Sequence, residues 1–136
     1  MTIVPKSGQL ICLDAMVVDG NVVGTWQLLT EPALYKLYTN DYTPDATATP
    51  GAFTEATFTG YAPSGAVWHP ATWLDGRAVK TGEPVIWNVG SPETIYGYYA
   101  VAEDAICFFA ERFTDGPYVV DTPDTITIYP KITLHD

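Results

Sequence analysis

Residues 94–113 read TIYGYYAVAEDAICFFAERF, and this stretch decides the fold. Two runs rich in aromatic and β-branched residues, 94–101 and 106–113, stand on either side of Glu103 and Asp104. Such runs, joined by a short polar turn, are typical of a β-hairpin. The sequence therefore predicts two paired aromatic strands. Gly97, inside the first strand, predicts a bulge or a neighbour packed closely against the backbone.

The C-terminal stretch continues the β pattern. Isoleucines at 126, 128 and 132 and a leucine at 134 alternate with mostly polar residues, which predicts a strand with one buried face. Pro130 falls within the alternation and cannot donate a ladder hydrogen bond, so it marks an edge strand or a break between two shorter strands. Further strands are predicted at 34–39 and 85–89, with turn residues between them. Together these elements predict an all-β single domain over residues 1–136, of the β-sandwich or jelly-roll type.

The N-terminal part has two interpretations. Leu10, Leu13 and Val17 recur at spacings of three and four, which favours one short helix with Ser7 as its cap. The alternative is a hairpin that turns at Asp19-Gly20 between pairs of valines. Residues 1–7 are predicted to form an arm that becomes ordered only when it is bound, because short termini are usually mobile until they are held.

Composition excludes several classes of protein. A hydrophobic fraction of 47% excludes a fully disordered chain. The net charge of −10 argues against nucleic acid and against an anionic membrane as partners, since both require a basic surface. The first residues lack the basic and apolar regions of a secretory signal. Cys12 and Cys107 both lie among apolar residues, which favours buried free thiols in a chain made in a reducing cytoplasm over a disulfide or a metal pair.

The sequence contains few of the features of a catalytic site. No serine lies in a Gly-x-Ser-x-Gly elbow, and no phosphate-binding glycine loop occurs. The cysteines and histidines lack metal-ligand spacing, and the acidic turns lack the spacing of a calcium loop. His69, in Trp68-His69-Pro70, fits a loop histidine stacked on an aromatic ring better than a general base. The sequence therefore predicts a non-enzymatic protein with no metal and no cofactor.

Aromatic residues in a segment punctuated by proline and glycine are the remaining distinctive feature. Tyr61, Trp68 and Trp73 are either rigid platforms for a sugar ring or a protein partner, or a cap on the end of the core. The long segment 40–60, rich in Thr, Ala, Pro and Asp, precedes them. A segment of that length is usually functional or covers a surface.

The order of these motifs resembles a group of small virion structural proteins of tailed bacteriophages. The resemblance covers residues 8 to 135 and is carried by LYKLYTNDYTP at 34–44, FTEATFTGYA at 53–62, VIWN at 85–88, IYGYYAV at 95–101, FFAERF at 108–113 and ITIYPKITL at 126–134. Residues 74–80 are less like the pattern. Members of this group are similar to capsid cement (decoration) proteins or to small tail components.

The resemblance implies a jelly-roll-like β domain that forms homo-oligomers and bridges capsomers, with no catalytic residues. The implied partners are the major capsid protein and copies of the chain itself. The implied location is the virion, on the capsid exterior or on the tail, after synthesis in the host cytoplasm. The expected contact segments are the arm at 1–7, the loop at 40–60 and the loop at 68–73. The candidate contact residues are Tyr42, Phe53, Tyr61, Trp68, His69 and Trp73.

Overall fold

The computed structural model describes residues 34–70, 72–102 and 106–133. The arm at 1–7, the two interpretations of the N-terminal part and Cys12 lie outside these ranges, and the Cys107 side chain is also outside the description. The described elements are, in chain order, β1 (Leu34–Tyr38), a short 3-10 helix (Pro50–Ala52), β2 (Ser64–Gly65), β3 (Thr72–Leu74), β4 (Arg77–Thr81), β5 (Val85–Asn88), β6 (Glu93–Ile95), β7 (Gly97–Ala102), β8 (Ile106–Arg112), β9 (Tyr118–Val120), β10 (Thr125–Ile128) and β11 (Lys131–Thr133). The all-β prediction is confirmed.

A four-stranded antiparallel sheet in the order β2-β1-β7-β8 forms one layer. The predicted aromatic hairpin is confirmed as β7 and β8, with a register shift between Ala100 and Val101. The strand predicted at 94–101, however, is two strands that join different sheets on either side of Tyr96. At that point the chain crosses between sheets, and Tyr96 N donates to Tyr38 O (2.9 Å) while Tyr96 O accepts from Phe113 N (3.0 Å).

A long antiparallel ribbon forms the second layer. It consists of three successive ladders, β6 with β9, β5 with β10, and β4 with β11. The register is unchanged between the first two ladders, because the connecting segments 89–92 and 121–124 have equal lengths. Between the ladder of β5 with β10 and the ladder of β4 with β11, the three residues 82–84 lie opposite the two residues 129–130. The extra residue on one side bends the ribbon. Pro130 thus separates two shorter strands, the second of the two predicted alternatives, and its carbonyl accepts from Gly82 N (2.9 Å).

The main core lies between the sheet and the ribbon. Alternate residues of each strand face inward, as the period of two requires. The buried members of this cluster are Tyr35, Leu37, Ala56, Phe58, Val85, Trp87, Val89, Ile95, Tyr98, Ala100, Phe109, Val120, Ile126 and Ile128. The layers therefore pack in the manner of a sandwich around one large aromatic and aliphatic core.

The opposite face of the four-stranded sheet is covered by the long segment 40–60. The later part of this segment is anchored to β1, where Thr39 N donates to Thr54 O (2.8 Å) and Ala56 N donates to Leu37 O (2.9 Å). Its side chains complete a second buried cluster of Tyr38, Ala48, Phe53, Tyr99, Val101 and Ala110. Of the two roles that its length predicts, the covering of a surface is the one seen in the fold.

Glu93 on β6 holds the end of the same segment against the ribbon. Its carboxylate accepts hydrogen bonds from Thr57 N (3.0 Å) and Phe58 N (2.9 Å). Nearby, Thr59 N donates to Ser91 Oγ (2.9 Å) and Gly90 N donates to Thr59 O (2.9 Å). One carboxylate therefore satisfies two backbone N–H groups of a segment that is not part of a β-strand.

Replacing Glu93 by alanine should lower the free energy of unfolding by about 2 kcal/mol, because both backbone donors lose a charged acceptor. Chemical denaturation followed by circular dichroism measures this loss. Glu83→Ala is the matched control: Glu83 is exposed and pairs only with exposed His69, at 3.2 Å, so its loss should be under about 0.5 kcal/mol. Equal losses in the two variants would contradict the role given to Glu93.

Tyr35 buries a hydroxyl that has no hydrogen-bond partner among the described residues. Its ring is fully buried and packs against Tyr98 (5.7 Å between centroids) and Phe109 (5.3 Å). Burial raises the pKa of Tyr35 well above its ordinary value, and the neighbouring Tyr98 raises it further. The folded chain therefore keeps this phenol protonated where the unfolded chain releases the proton.

Tyr35→Phe should make the protein about 1 kcal/mol more stable at pH 8, because an unpaired polar group leaves the core. Wild-type stability should fall as the pH rises above about 10, where the unfolded phenol ionises. The difference between variant and wild type should therefore widen by about 1.4 kcal/mol per pH unit there. Chemical denaturation at pH 8 and pH 11 measures this difference in the free energy of unfolding. Tyr129→Phe is the control, because Tyr129 is 74% exposed. A constant difference would contradict this account.

Candidate interaction surface

Tyr42 and Phe53, two of the predicted contact residues, lie in the second cluster. Phe53 is 8% exposed and stacks on Tyr99, with the centroids 4.3 Å apart and the planes at 6°. Tyr42 is half-buried and meets Phe53 edge-on at 5.1 Å. The Phe53 ring therefore belongs to the core and offers no surface to a partner.

Tyr61 and Trp68 flank the main core. Tyr61 is half-buried; its hydroxyl donates to Glu55 Oε1 (2.9 Å) and accepts from Leu37 N (3.3 Å). Burial raises the pKa of Tyr61, and the hydrogen bond from Leu37 opposes that shift. Trp68 is also half-buried and meets Phe109 edge-on at 6.4 Å. For both rings the structure favours the core-capping interpretation over an open platform.

His69 and Trp73 are exposed, and they belong to a different part of the fold. His69 Nε2 lies 3.2 Å from Glu83 Oε1, and His69 N donates to Thr81 O (2.8 Å). Trp73 lies in β3 and is 75% exposed. The six predicted contact residues therefore do not form one site, and Trp73 is the aromatic ring among them that is most available to a partner.

Trp73 stands on a small three-stranded sheet in the order β11-β4-β3. The turn between β3 and β4 consists of Asp75 (φ 52°) and Gly76 (φ 75°), with Leu74 paired to Arg77. Positive φ at both central residues matches the tight hairpin turn that favours Asp-Gly. All three residues of β3 are exposed, whereas Val79 on the neighbouring β4 is buried. This sheet forms the end of the ribbon, and it is called the projecting sheet because β3 is exposed along its whole length.

Both faces of the projecting sheet carry exposed apolar side chains. Trp73 and Leu74 are consecutive in a strand, so they point to opposite faces, and Leu74 is 54% exposed. Val67 (68%) and Tyr129 (74%) are exposed where the sheet joins the sandwich. A two- or three-stranded unit gains stability by packing a hydrophobic face. The tip therefore leaves apolar side chains exposed on both faces of a small sheet.

The projecting sheet is also the basic part of an acidic chain. Strands β3, β4 and β11 with their turn contain the cations Arg77, Lys80 and Lys131 and a single acid, Asp75. The two remaining cations in the described ranges are paired, Lys36 with Glu55 at 3.4 Å and Arg112 with Asp41. Lys80 and Lys131 form no ion pair with a described residue. The strand registers put Lys80 on the same face of this sheet as Trp73 and Lys131 on the opposite face, while the whole chain has a net charge of −10.

A shallow groove lies on the part of the ribbon formed by β9 and β10. Its lining residues are Phe113, Tyr118, Val119, Val120, Pro123, Asp124, Thr125, Ile126 and Thr127. Tyr118 is 41% exposed and Val119 is 79% exposed. The segment 113–128 contains three acids, Asp115, Asp121 and Asp124, and no Lys or Arg. The groove is therefore lined by both apolar and polar residues, and one of the three acids, Asp124, is part of its lining.

Comparison with known proteins gave no relative from which a role for this surface follows. No family model matches this chain, and neither the curated proteins nor the solved structures gave a significant match. The described ranges contain no group of three or more His, Cys, Asp or Glu side chains placed to hold a metal ion. Within those ranges no helix has the length and apolar character needed to span a bilayer.

Two residues of this surface were missed by the sequence analysis. Leu74 lies directly before the Asp75-Gly76 pair, and Asp-Gly is a strong hairpin signal that predicts an exposed turn. Val119 carries no such signal, because Tyr118-Val119-Val120 resembles any short buried strand. Its 79% exposure follows from the way the ribbon packs on the sheet.

Proposed function

We propose that this protein is a non-enzymatic structural protein of a bacteriophage virion, a capsid cement protein that binds the head shell and stabilises it. The observation that carries the proposal is the projecting sheet, which exposes Trp73 and Leu74 on opposite faces. Such a surface suits attachment to another protein, because interface centres are enriched in aromatic residues. The order of sequence motifs, which resembles small virion proteins of tailed phages, supports the same role.

A cement protein needs contacts to the shell and contacts to its own copies. The proposed partners are accordingly the major capsid protein and copies of this chain, on the capsid exterior. Outside the projecting sheet the chain is acidic, and that part of the surface would complement a basic patch on the shell. Many copies on one lattice bind with high avidity even when each contact is weak. The same charge makes nucleic acid and anionic membranes unsuitable partners.

Cryo-electron microscopy of particles purified from cells that produce this protein tests the proposal. The expected result is density for the β domain on the outside of the head, with the chain detected in the same particles by mass spectrometry. Particles stripped of the protein should lose resistance to heat and regain it when the purified protein is added. Absence of the protein from both head and tail would overturn the proposal.

The arm at 1–7 provides a second test, because it is expected to bind the shell. Deleting it should weaken binding to stripped particles while leaving the circular dichroism spectrum unchanged. If the protein without the arm binds particles as tightly as the full chain, the arm does not contact the shell.

The alternative is a tail-associated structural protein or a receptor- or carbohydrate-binding module. The observation that favours it is the exposed Trp73 ring, which has the shape of a platform for a sugar. Glycan-array binding that is lost in Trp73→Ala, together with density on the tail, would support this alternative over the cement role. A parent protein that binds no glycan and is found only on the head would exclude it.

A further inference from the structure

We propose that the projecting β3–β4 hairpin of one copy docks in the β9–β10 groove of a second copy, so that the chains associate head to tail. The two surfaces complement each other in polarity and in charge. The hairpin presents Trp73 and Leu74 together with Lys80, whereas the groove presents Tyr118 and Val119 together with Asp124. This inference concerns the chain in solution and does not rest on a role in a virion.

Charge decides between a head-to-tail contact and a symmetric one. In a twofold contact between two hairpins, Lys80 and Lys131 of one copy would approach the same two cations of the other. In a twofold contact between two grooves, Asp124, which lines the groove, and its neighbour Asp121 would meet their own equivalents. Like charges brought together in an interface repel each other strongly. A contact between hairpin and groove instead pairs the cations with the acids.

The position of the two surfaces on the ribbon makes the contact intermolecular. The hairpin extends from the ladder of β4 with β11, while the groove is formed at β9 and β10, beyond the bend at residues 82–84. The groove has a volume of about 720 Å³ and is widely open to solvent, so a projecting segment of a second copy can enter it. A contact between unlike surfaces generates a ring if its rotation closes and a chain if it does not.

Sedimentation velocity of the full-length protein and two variants tests the proposal. Wild type should associate at micromolar concentrations as a defined ring or a concentration-dependent chain, either of which supports the proposal. Trp73→Ser inactivates the hairpin, and Val119→Lys places a cation in the groove that repels the incoming cations. Each variant alone should be monomeric, with association weakened at least tenfold.

Mixing the two variants gives the decisive measurement. Trp73→Ser retains an intact groove and Val119→Lys retains an intact hairpin, so the mixture should form a heterodimer that grows no further. Ala46→Lys, at an exposed position in the segment 40–60 that covers the other face of the four-stranded sheet, is the matched control and should associate like wild type. Circular dichroism checks that all variants are folded.

Three results would overturn the proposal. The first is a monomeric wild type at high micromolar concentration. The second is a mixture of the two variants that remains monomeric, and the third is one single variant that still associates as wild type does, which indicates a symmetric contact. Because this test needs no particles, a failure here leaves the cement role to be judged by cryo-electron microscopy alone.

Discussion

Replacing Gly97 by alanine should lower the free energy of unfolding by about 3 kcal/mol, a loss at the upper end of the range for overpacking. Gly97 lies in β7 between β1 and β8, paired with Tyr38 on one side and Arg112 on the other. A methyl group there would overlap the carbonyl oxygen of Glu111 and would lie 2.7 Å from two atoms of the Tyr38 side chain. The first of these is backbone, which cannot rotate away. The central strands must therefore separate to admit the methyl group.

Gly51→Ala is the control for this prediction. A methyl group at Gly51 meets no atom within 4 Å, so the change should stay within about 0.5 kcal/mol. Reversible denaturation of both variants by guanidinium, followed by circular dichroism, measures the two losses. If Gly97→Ala were as stable as Gly51→Ala, the close approach of Tyr38 and Glu111 to this strand would be wrong.

Replacing Trp87 by alanine should cost about 3–5 kcal/mol, which is the range for removal of a large buried aromatic side chain. Trp87 is 3% exposed in the main core, where it packs between the ribbon and the sheet. Its indole Nε1 also donates to Ala62 O (2.8 Å). The variant therefore loses the packing of the ring and leaves a backbone acceptor unpaired.

Trp73→Ala is the matched control, since both tryptophans lie in strands and differ in burial. Because Trp73 is 75% exposed, Trp73→Ala should lower the free energy of unfolding by less than about 1 kcal/mol in dilute solution, where copies do not associate. The more conservative Trp87→Phe keeps most of the packing, so its loss of unfolding free energy should lie between those of Trp73→Ala and Trp87→Ala. Thermal or guanidinium denaturation ranks the three variants, and a larger loss for Trp73→Ala than for Trp87→Ala would contradict the assigned burial.

Local pattern was sufficient for the elements in which neighbouring residues decide the conformation. The hairpin of β7 and β8 and the strands at 34–38 and 85–88 were predicted, because period-two alternation and turn residues act over a few positions. The break at Pro130 was one of two predicted alternatives, and so was a close neighbour at Gly97. The identity of that neighbour, the Tyr38 ring and the Glu111 carbonyl, depends on two strands that lie far away in sequence.

The candidate contact residues show where local pattern fails. Phe53, Trp68 and Trp73 are alike in type and all lie near proline or glycine, yet the first is buried, the second half-buried and the third exposed. Their exposure depends on which sheet face each segment covers, and a single strand or loop does not determine that. The sequence also gave no indication that its cations would concentrate on one projecting sheet.

By itself, the sequence determined an all-β chain with an aromatic hairpin, because alternation and turn chemistry are properties of neighbouring residues. Tertiary structure decided the rest: the joining of three ladders into one bent ribbon, the covering of one sheet face by residues 40–60, and the exposure of Trp73 at the projecting tip. These features depend on which distant segments come together to exclude water. That choice is made by the whole chain as it buries its apolar surface.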